Sequence, residues 1–520
     1  MAFADAFKNI SPVLLVVLVL AIGVPLAIFG LLGNNYLLAG LVVFVAGFVL
    51  LYRTKFKRYI VFFMLETRHG LNFVDRVARL SPAFWKFFGD VAIVVSFGGF
   101  GAYYVSRYRN TWLINVLVGI AALVLTFTSV GPEPALAGVF VLVAGAVLLR
   151  KTGKPVFHFL AGAAVMATIM FSIYPGFSDV AAFRPFVAAL VGVFGVPALL
   201  VSTLFSQAFK IAMAQSNVPG VSPLLPTISE EGPGFFFPGT GIFIPFWQAL
   251  IAIICLLVPH ELAHGILTRA HKIRLKSVGI LTASVIPIGA FVEPDERIMR
   301  LRRSREKMRI YAVGSFTNLI VAILSILLIF FVLAPAIDAI TEPTGMVIAN
   351  VMNNTPASGI LQKGFVITEI NGLKTNSSDT FNKVVAGLKP NQTATFVTTN
   401  GTFNITLTSR PDNASRGYIG IDLQQTYNIK EAFRTKYRLQ TEAAFFLAPT
   451  LFWIFFLSFN IALVNLLPVS PFDGGKMFEE IMADFRVRRK NKELLLKIVL
   501  SIIIVLLLMN ASPLLLNLFR

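Results

Sequence analysis

Gly241-Ile242-Phe243-Ile244-Pro245-Phe246-Trp247-Gln248-Ala249-Leu250-Ile251-Ala252-Ile253-Ile254-Cys255-Leu256-Leu257-Val258-Pro259-His260-Glu261-Leu262-Ala263-His264 decides how this chain folds. The run up to Pro259 is apolar and long enough to cross the hydrocarbon of a bilayer, which takes about 20 helical residues. It ends in three ionisable side chains, and such groups are expensive at membrane depth. A metal accounts for them. Histidines four apart on a helix share one face, so the rings of His260 and His264 reach the same Zn2+. Glu261 projects elsewhere, beside the metal and not onto it. Pro259 removes a backbone bond to residue 255, a break that membrane helices tolerate.

The rest of the composition agrees with a bilayer. Of 520 residues, 56% are hydrophobic and only 14% charged, more apolar surface than a soluble domain needs. The net charge of +19 raises nucleic acid as a partner. The basic residues instead cluster in short segments between apolar runs, as the positive-inside rule requires, so nucleic-acid binding is set aside. Cys255 is the single cysteine, which excludes an intrachain disulfide and every Cys-zinc pattern. The run from Pro12 to Leu32 is too long for a cleavable signal peptide and reads as a first span.

The fold expected is a polytopic α-helical membrane protein of about 11 spans with one small, mainly-β extramembrane domain. Spans are expected near 12–32, 36–52, 88–106, 112–130, 134–150, 155–174, 184–207, 241–267, 309–336, 442–467 and 494–516. The segment 53–86 is basic and amphipathic, and is expected to lie along the cytoplasmic face. Basic clusters at 269–276, 297–309 and 486–492 fall on one side if the ninth and tenth spans flank an outside domain. That side is assigned as cytoplasmic. Arg107, Arg109, Arg150, Lys151 and Lys154 then fall outside, so the count fits least well over 88–174.

Residues 343–424 differ in composition: they are polar and rich in Asn, Thr and Gly. Thr393-Ala394-Thr395-Phe396-Val397-Thr398 alternates as a half-buried strand does. Six N-x-S/T sequons start at Asn353, Asn376, Asn391, Asn400, Asn404 and Asn413, in agreement with an external domain. Thr355-Pro356-Ala357-Ser358-Gly359-Ile360 leads to Lys363-Gly364-Phe365-Val366-Ile367-Thr368-Glu369-Ile370-Asn371-Gly372. This pattern resembles a PDZ domain of the kind attached to proteases, with Phe365 where that family usually has Asp. The resemblance implies a site for a peptide C-terminus, or a device that excludes bulky substrates.

A zinc site open to water needs a third protein ligand. His69 and His158 are isolated and His271 stands in a basic loop; the better candidate is Asp473, which follows a hydrophobic span and precedes a charged segment in Asn465-Leu466-Leu467-Pro468-Val469-Ser470-Pro471-Phe472-Asp473-Gly474-Gly475. HExxH in a span, followed by N-x-x-P-x-x-x-x-D-G after a later span, resembles the site-2 proteases, a family of intramembrane zinc metalloproteases. Gly279-Ile280 to Asp295 is similar to their membrane-dipping loop, and Gly314-Ser315-Phe316-Thr317-Asn318 to their G-x-x-x-N span. The match covers roughly residues 220–480. The chain then divides into an additional multispan region (1–210), a first catalytic part (220–336), the PDZ-like insert (343–424) and a second catalytic part (440–520).

The resemblance implies that His260, His264 and Asp473 hold Zn2+ and that Glu261 is the general base. It implies that Asn465 orients substrate or stabilises the oxyanion. Gly314-x-x-x-Asn318 reads either as close helix packing or as a substrate contact through Asn318. Expected partners are transmembrane protein substrates and the lipid bilayer. The expected location is a prokaryotic, and within that archaeal, cell membrane, with the active site toward the cytoplasm. Two rivals stand beside this reading. In a prenyl-peptide-processing type of membrane protease the third ligand would be a glutamate, and Glu480 to Asp484 carries the E-x-x-x-D spacing. In an inactive scaffold the chain would hold zinc and present the PDZ-like domain, but Glu261 would then have no task.

Overall fold

The computed structural model describes residues 47–48, 51, 57–59, 62–66, 68–107, 155–173, 184–229, 232–283, 286–352, 355–410 and 413–518. The chain forms two compact units. One runs to Ile326 and resumes at Thr450, and the other is Leu327–Pro449.

In the first unit, apolar runs form helices. They are α1 (Arg68–Leu80), α2 (Pro82–Ser106), α3 (Pro155–Ile173), α4 (Arg184–Phe194), α5 (Pro197–Ala212), α6 (Phe246–Ala270), α7 (Ser304–Leu328), α9 (Arg438–Asn465), α10 (Asp473–Asp484) and α11 (Arg489–Leu518), with α7 and α9 running on into the second unit. Among the described residues, five helical stretches are long and apolar enough to cross a membrane: Pro82–Ser106, Phe246–Ala270, Ser304–Ile340, Arg438–Asn465 and Arg489–Leu514. The spans expected at 12–32, 112–130 and 134–150, and nearly all of 36–52, lie outside the described residues. The span expected at 184–207 is broken in two. Gly195 adopts φ +81°, and Pro197 starts α5 at a position where its missing N–H costs nothing. Hydropathy alone does not register a one-residue break. The break packs against α2, where the Val196 N–H donates to the Val95 carbonyl (3.1 Å).

Among the described residues, two small sheets accompany the helices. The described part of the segment 53–86 mixes strands and helix. It holds β1 (Lys57–Tyr59) and β2 (Phe62–Glu66) ahead of α1. β2 pairs with β6 (Leu275–Ala283), which pairs with β7 (Ile286–Pro294), in the order β1-β2-β6-β7. The stretch from Gly279 to Asp295, likened above to a membrane-dipping loop, lies largely in this antiparallel hairpin, and among the described residues β7 is the terminal strand. A second sheet of β3 (Leu225–Ser229), β4 (Gly232–Phe237) and β5 (Ile242–Pro245) leads directly into α6.

The N-terminal helices are part of the same core as α6 and α7. Val91, Val94, Tyr104 and Val105 of α2 pack with Met308 and Ala312 of α7, Leu466, and Met477 of α10. A polar lock fixes this packing. Asp90 is fully buried and accepts two bonds from Arg309 (2.7 and 2.7 Å) and two from Arg305 (2.7 and 3.4 Å). Arg269 of α6 makes a further bidentate pair with Asp75 of α1.

The second unit carries the sheet β12-β11-β9-β8-β15, with β10 (Leu373–Lys374) paired to β9. Its strands are β8 (Thr341–Val351), β9 (Val366–Ile370), β11 (Thr393–Thr398), β12 (Gly401–Thr406) and β15 (Ile421–Ile429). β13 (Thr408–Arg410) and β14 (Asn413–Tyr418) form a separate pair. The helix α8 (Ser378–Ala386) starts at Ser377, whose hydroxyl and backbone N–H form a capping box with Thr380. Phe381 of α8 packs with Ile348, Ile367, Ile370, Phe396 and Ile405. The alternation along β11 buries Ala394, Phe396 and Thr398 on one face. β8 and β15 pair from Ile421↔Val351 out to Ile429↔Thr341, beyond the expected boundary at 424.

Asp90→Ala leaves two guanidinium groups without this carboxylate. It is expected to lower stability by about 3–5 kcal/mol, the cost of breaking a buried ion pair from one side. SDS-induced unfolding of the purified chain in mixed micelles measures this.

Candidate metal centre

Three elements converge on one point in the first unit. α6 brings His260, Glu261 and His264, and α10 begins with Asp473 in its first turn. α7 passes behind the histidines. The Nε2 atoms of His260 and His264 lie 3.1 Å apart. Asp473 Oδ2 is 3.2 Å from His264 Nε2 and 3.4 Å from His260 Nε2. His260 and Asp473 are both buried. Around a tetrahedral Zn2+ with bonds of about 2.0–2.1 Å, neighbouring ligand atoms sit about 3.3–3.4 Å apart. The donor triangle has the size of one face of that tetrahedron.

The far side of each ligand is also held. His264 Nδ1 lies 2.5 Å from the carbonyl oxygen of Ile310. A carbonyl only accepts, so this nitrogen carries the proton and Nε2 keeps its lone pair for a metal. His260 Nδ1 lies 3.2 Å from the Asn318 side-chain nitrogen, while Asn318 Oδ1 is buried and has no partner among the described residues. Turned over by 180°, the same amide offers its oxygen to an Nδ1–H and sets the second ring in the same tautomer. Lys476 Nζ donates to Asp473 Oδ1 (3.2 Å), which directs the other oxygen, Oδ2, to the histidines.

Ile310, Gly314 and Asn318 are spaced by four and form one stripe of α7. A Cβ on Gly314 would lie 2.7 Å from His260 Nε2 and closer still to His264 Nε2. Only a residue without a side chain lets α7 pass here and leaves room for an ion.

The expected residues fall as follows. His260, His264 and Asp473 form the triangle, and Glu261 and Asn465 line the same cleft of about 660 Å³. Glu261 stands off the triangle. Its Oε2 accepts the Val292 N–H of β7 (3.1 Å). Asn318 is fully buried and meets His260, not the cleft. Glu480 is paired to Lys307 (2.5 Å), and of the two carboxylates weighed from sequence it is Asp473 that reaches both histidines. His271 ends α6 on the side of Arg309. Burial, followed by the charges of Arg309 and Lys86, pushes its imidazole down to about 3, so it stays neutral. Lys476 and Ile310 were missed. A backbone carbonyl leaves no trace in sequence, but a lysine three residues after Asp473 on a helix was a readable signal.

A family profile described as "Peptidase family M50" matches residues 248–509, which include the triangle and Glu261. The chain belongs to that family. The M50 relationship makes it a membrane zinc metalloprotease by kind. An uncharacterized protein of Methanocaldococcus jannaschii is 31% identical over 58% of this chain and 73% of its own length. A Clostridium perfringens protein that carries a zinc metalloprotease name is 25% identical over 45% of this chain and 86% of its own length. An Arabidopsis thaliana homologue of the membrane-bound transcription factor site-2 protease is 22% identical over 35% of this chain and 34% of its own length.

Metal affinity tests the geometry directly. Asn318→Leu is expected to weaken zinc binding about 10–100-fold, whereas Asn318→Asp, which still accepts from the ring, retains it. Gly314→Ala and Asp473→Ala abolish binding, and Glu480→Ala does not. Competition with a chromogenic chelator reads all of these without any substrate.

Proposed function

We propose that this chain is an intramembrane zinc metalloprotease that hydrolyses transmembrane segments of other membrane proteins. The observation that carries this reading is the His260–His264–Asp473 triangle with Glu261 on the same cleft but outside the ligand set. A pure zinc-holding scaffold has no use for that fourth group. Zinc, when bound, polarises the scissile carbonyl and brings the pKa of water to about 7.

The chain's own residues supply the remaining chemistry. The Glu261 carboxylate takes the proton of the attacking water and delivers it to the leaving amine. The Val292 N–H holds one of its oxygens and fixes its direction. Asn465 lines the cleft and offers an amide N–H to the oxygen that gains charge, without adding a titratable group.

A helical substrate hides its carbonyls in its own hydrogen bonds, so cleavage requires an unwound, extended segment. β7 is the terminal strand of its sheet, and Val292 projects its N–H from the outer edge toward Glu261. Strand addition to that edge delivers an extended segment beside the base. By the strand's period of two, Ala290 presents its N–H to the same edge.

The second unit, read as a PDZ-like domain on the external side, screens out substrates with bulky outside domains or receives a newly made C-terminus. The basic clusters at 269–276, 297–309 and 486–492 support a cytoplasmic active-site end.

Glu261→Gln is expected to keep zinc and lose cleavage of a co-expressed single-span protein. Equal cleavage by the wild type and this variant would remove the catalytic claim. Ala290→Pro deletes an outer-edge N–H but leaves the β6 ladder intact. It is expected to slow cleavage while zinc affinity stays unchanged, and full activity would reject strand capture.

A further inference from the structure

The sequons of the second unit are unused by the reading above. Residues 343–424 hold ten asparagines and seventeen serines and threonines among 82 residues, and six of the asparagines begin an N-x-S/T sequon. Random placement at that composition gives about two acceptor sequons of the N-glycosylation kind. The other 438 residues hold two, at Asn9 and Asn510. The excess is confined to the insert.

The structure separates usable from unusable sites. Asn510 is fully buried in α11, and its side-chain nitrogen donates to the carbonyls of Leu204 and Leu506 (2.8 Å each). That nitrogen is the atom that glycosylation modifies, so Asn510 is closed to it. Asn376, Asn391, Asn400 and Asn404 are all exposed. Asn376 directly precedes the Ser377 cap of α8. Asn391 sits at φ +61° between α8 and β11. Asn400 is the second residue of the two-residue β11–β12 turn, since Thr398 pairs with Gly401. Asn404 lies on β12 and accepts from the Thr395 hydroxyl through its oxygen (2.8 Å), not through its nitrogen. Asn9, Asn353 and the Asn413 side chain lie outside the described residues.

We infer that the second unit is N-glycosylated at Asn376, Asn391, Asn400 and Asn404. The donor class is an oligosaccharide linked to a polyprenyl diphosphate. Transfer forms a bond from the asparagine Nδ2 to sugar C1, breaks the C1–O bond to the diphosphate, releases the polyprenyl diphosphate and sends one amide proton to a base. The inference rests on the external placement of this unit proposed above and on the exposure of these asparagines, and not on the catalytic reading. It has a structural consequence. The sheet ends in two terminal strands, β12 and β15. Glycans at Asn400 and Asn404 flank β12 and hinder edge-to-edge pairing there, while no described sequon lies on β15.

The test is peptide mass spectrometry of the full-length chain purified from its native membranes. Sugar adducts are expected on peptides containing Asn376, Asn391, Asn400 and Asn404, with Asn510 bare. Thr402→Ala, an exposed change that keeps Asn400 but removes its sequon hydroxyl, is expected to lose only the adduct at Asn400. Bare asparagine at all four positions, or an adduct on Asn510, overturns the inference.

Discussion

Everything in the first unit depends on holding two imidazoles and a carboxylate within about one hydrogen-bond length inside an apolar helix bundle. The rings alone do not accomplish this. A histidine in a helix still turns about its side-chain bonds and exchanges tautomers, and a metal needs one nitrogen of each ring with a free lone pair. The stripe Ile310–Gly314–Asn318 on α7 supplies the constraint. One position offers a carbonyl, the next offers nothing, and the third offers an amide. The zinc-type centre is therefore as much a property of α7 as of the helix that carries its histidines.

The donor triangle was legible because its motifs are local. HExxH encodes the spacing of two rings on one face with Glu261 beside them, and the D-G element after an apolar helix carries the carboxylate that meets them. The environment of Asn318 was not legible. Spacing puts it on a face shared with Gly314, but only the packing of α7 on α6 decides whether that face meets substrate space or a ligand. Strand β2 was hidden for a similar reason. Its partner β6 lies some two hundred residues later, and a few apolar residues beside a basic stretch look like an interfacial segment until that partner is in place. Asp90 did leave a signal. A lone acid within an apolar helix calls for a counter-charge, and α7 begins with a cluster of them.

The second unit shows the opposite balance. Its strand β11 was readable from alternation alone. The excess length of β8 and β15 was not readable, because Gln424-Gln425-Thr426-Tyr427-Asn428-Ile429 carries no apolar period of its own and takes its extended form from β8.

The lock between α2 and α7 bears on how such a molecule is made. Arg305 and Arg309 open α7, and packing both against α2 without a counter-charge would be costly. The carboxylate that neutralises them belongs to a helix translated 215 and 219 residues earlier. Vectorial synthesis thus installs the counter-ion before the cations emerge from the ribosome. Asp90 on α2 is thus already in place when the helix that backs the donor triangle is made.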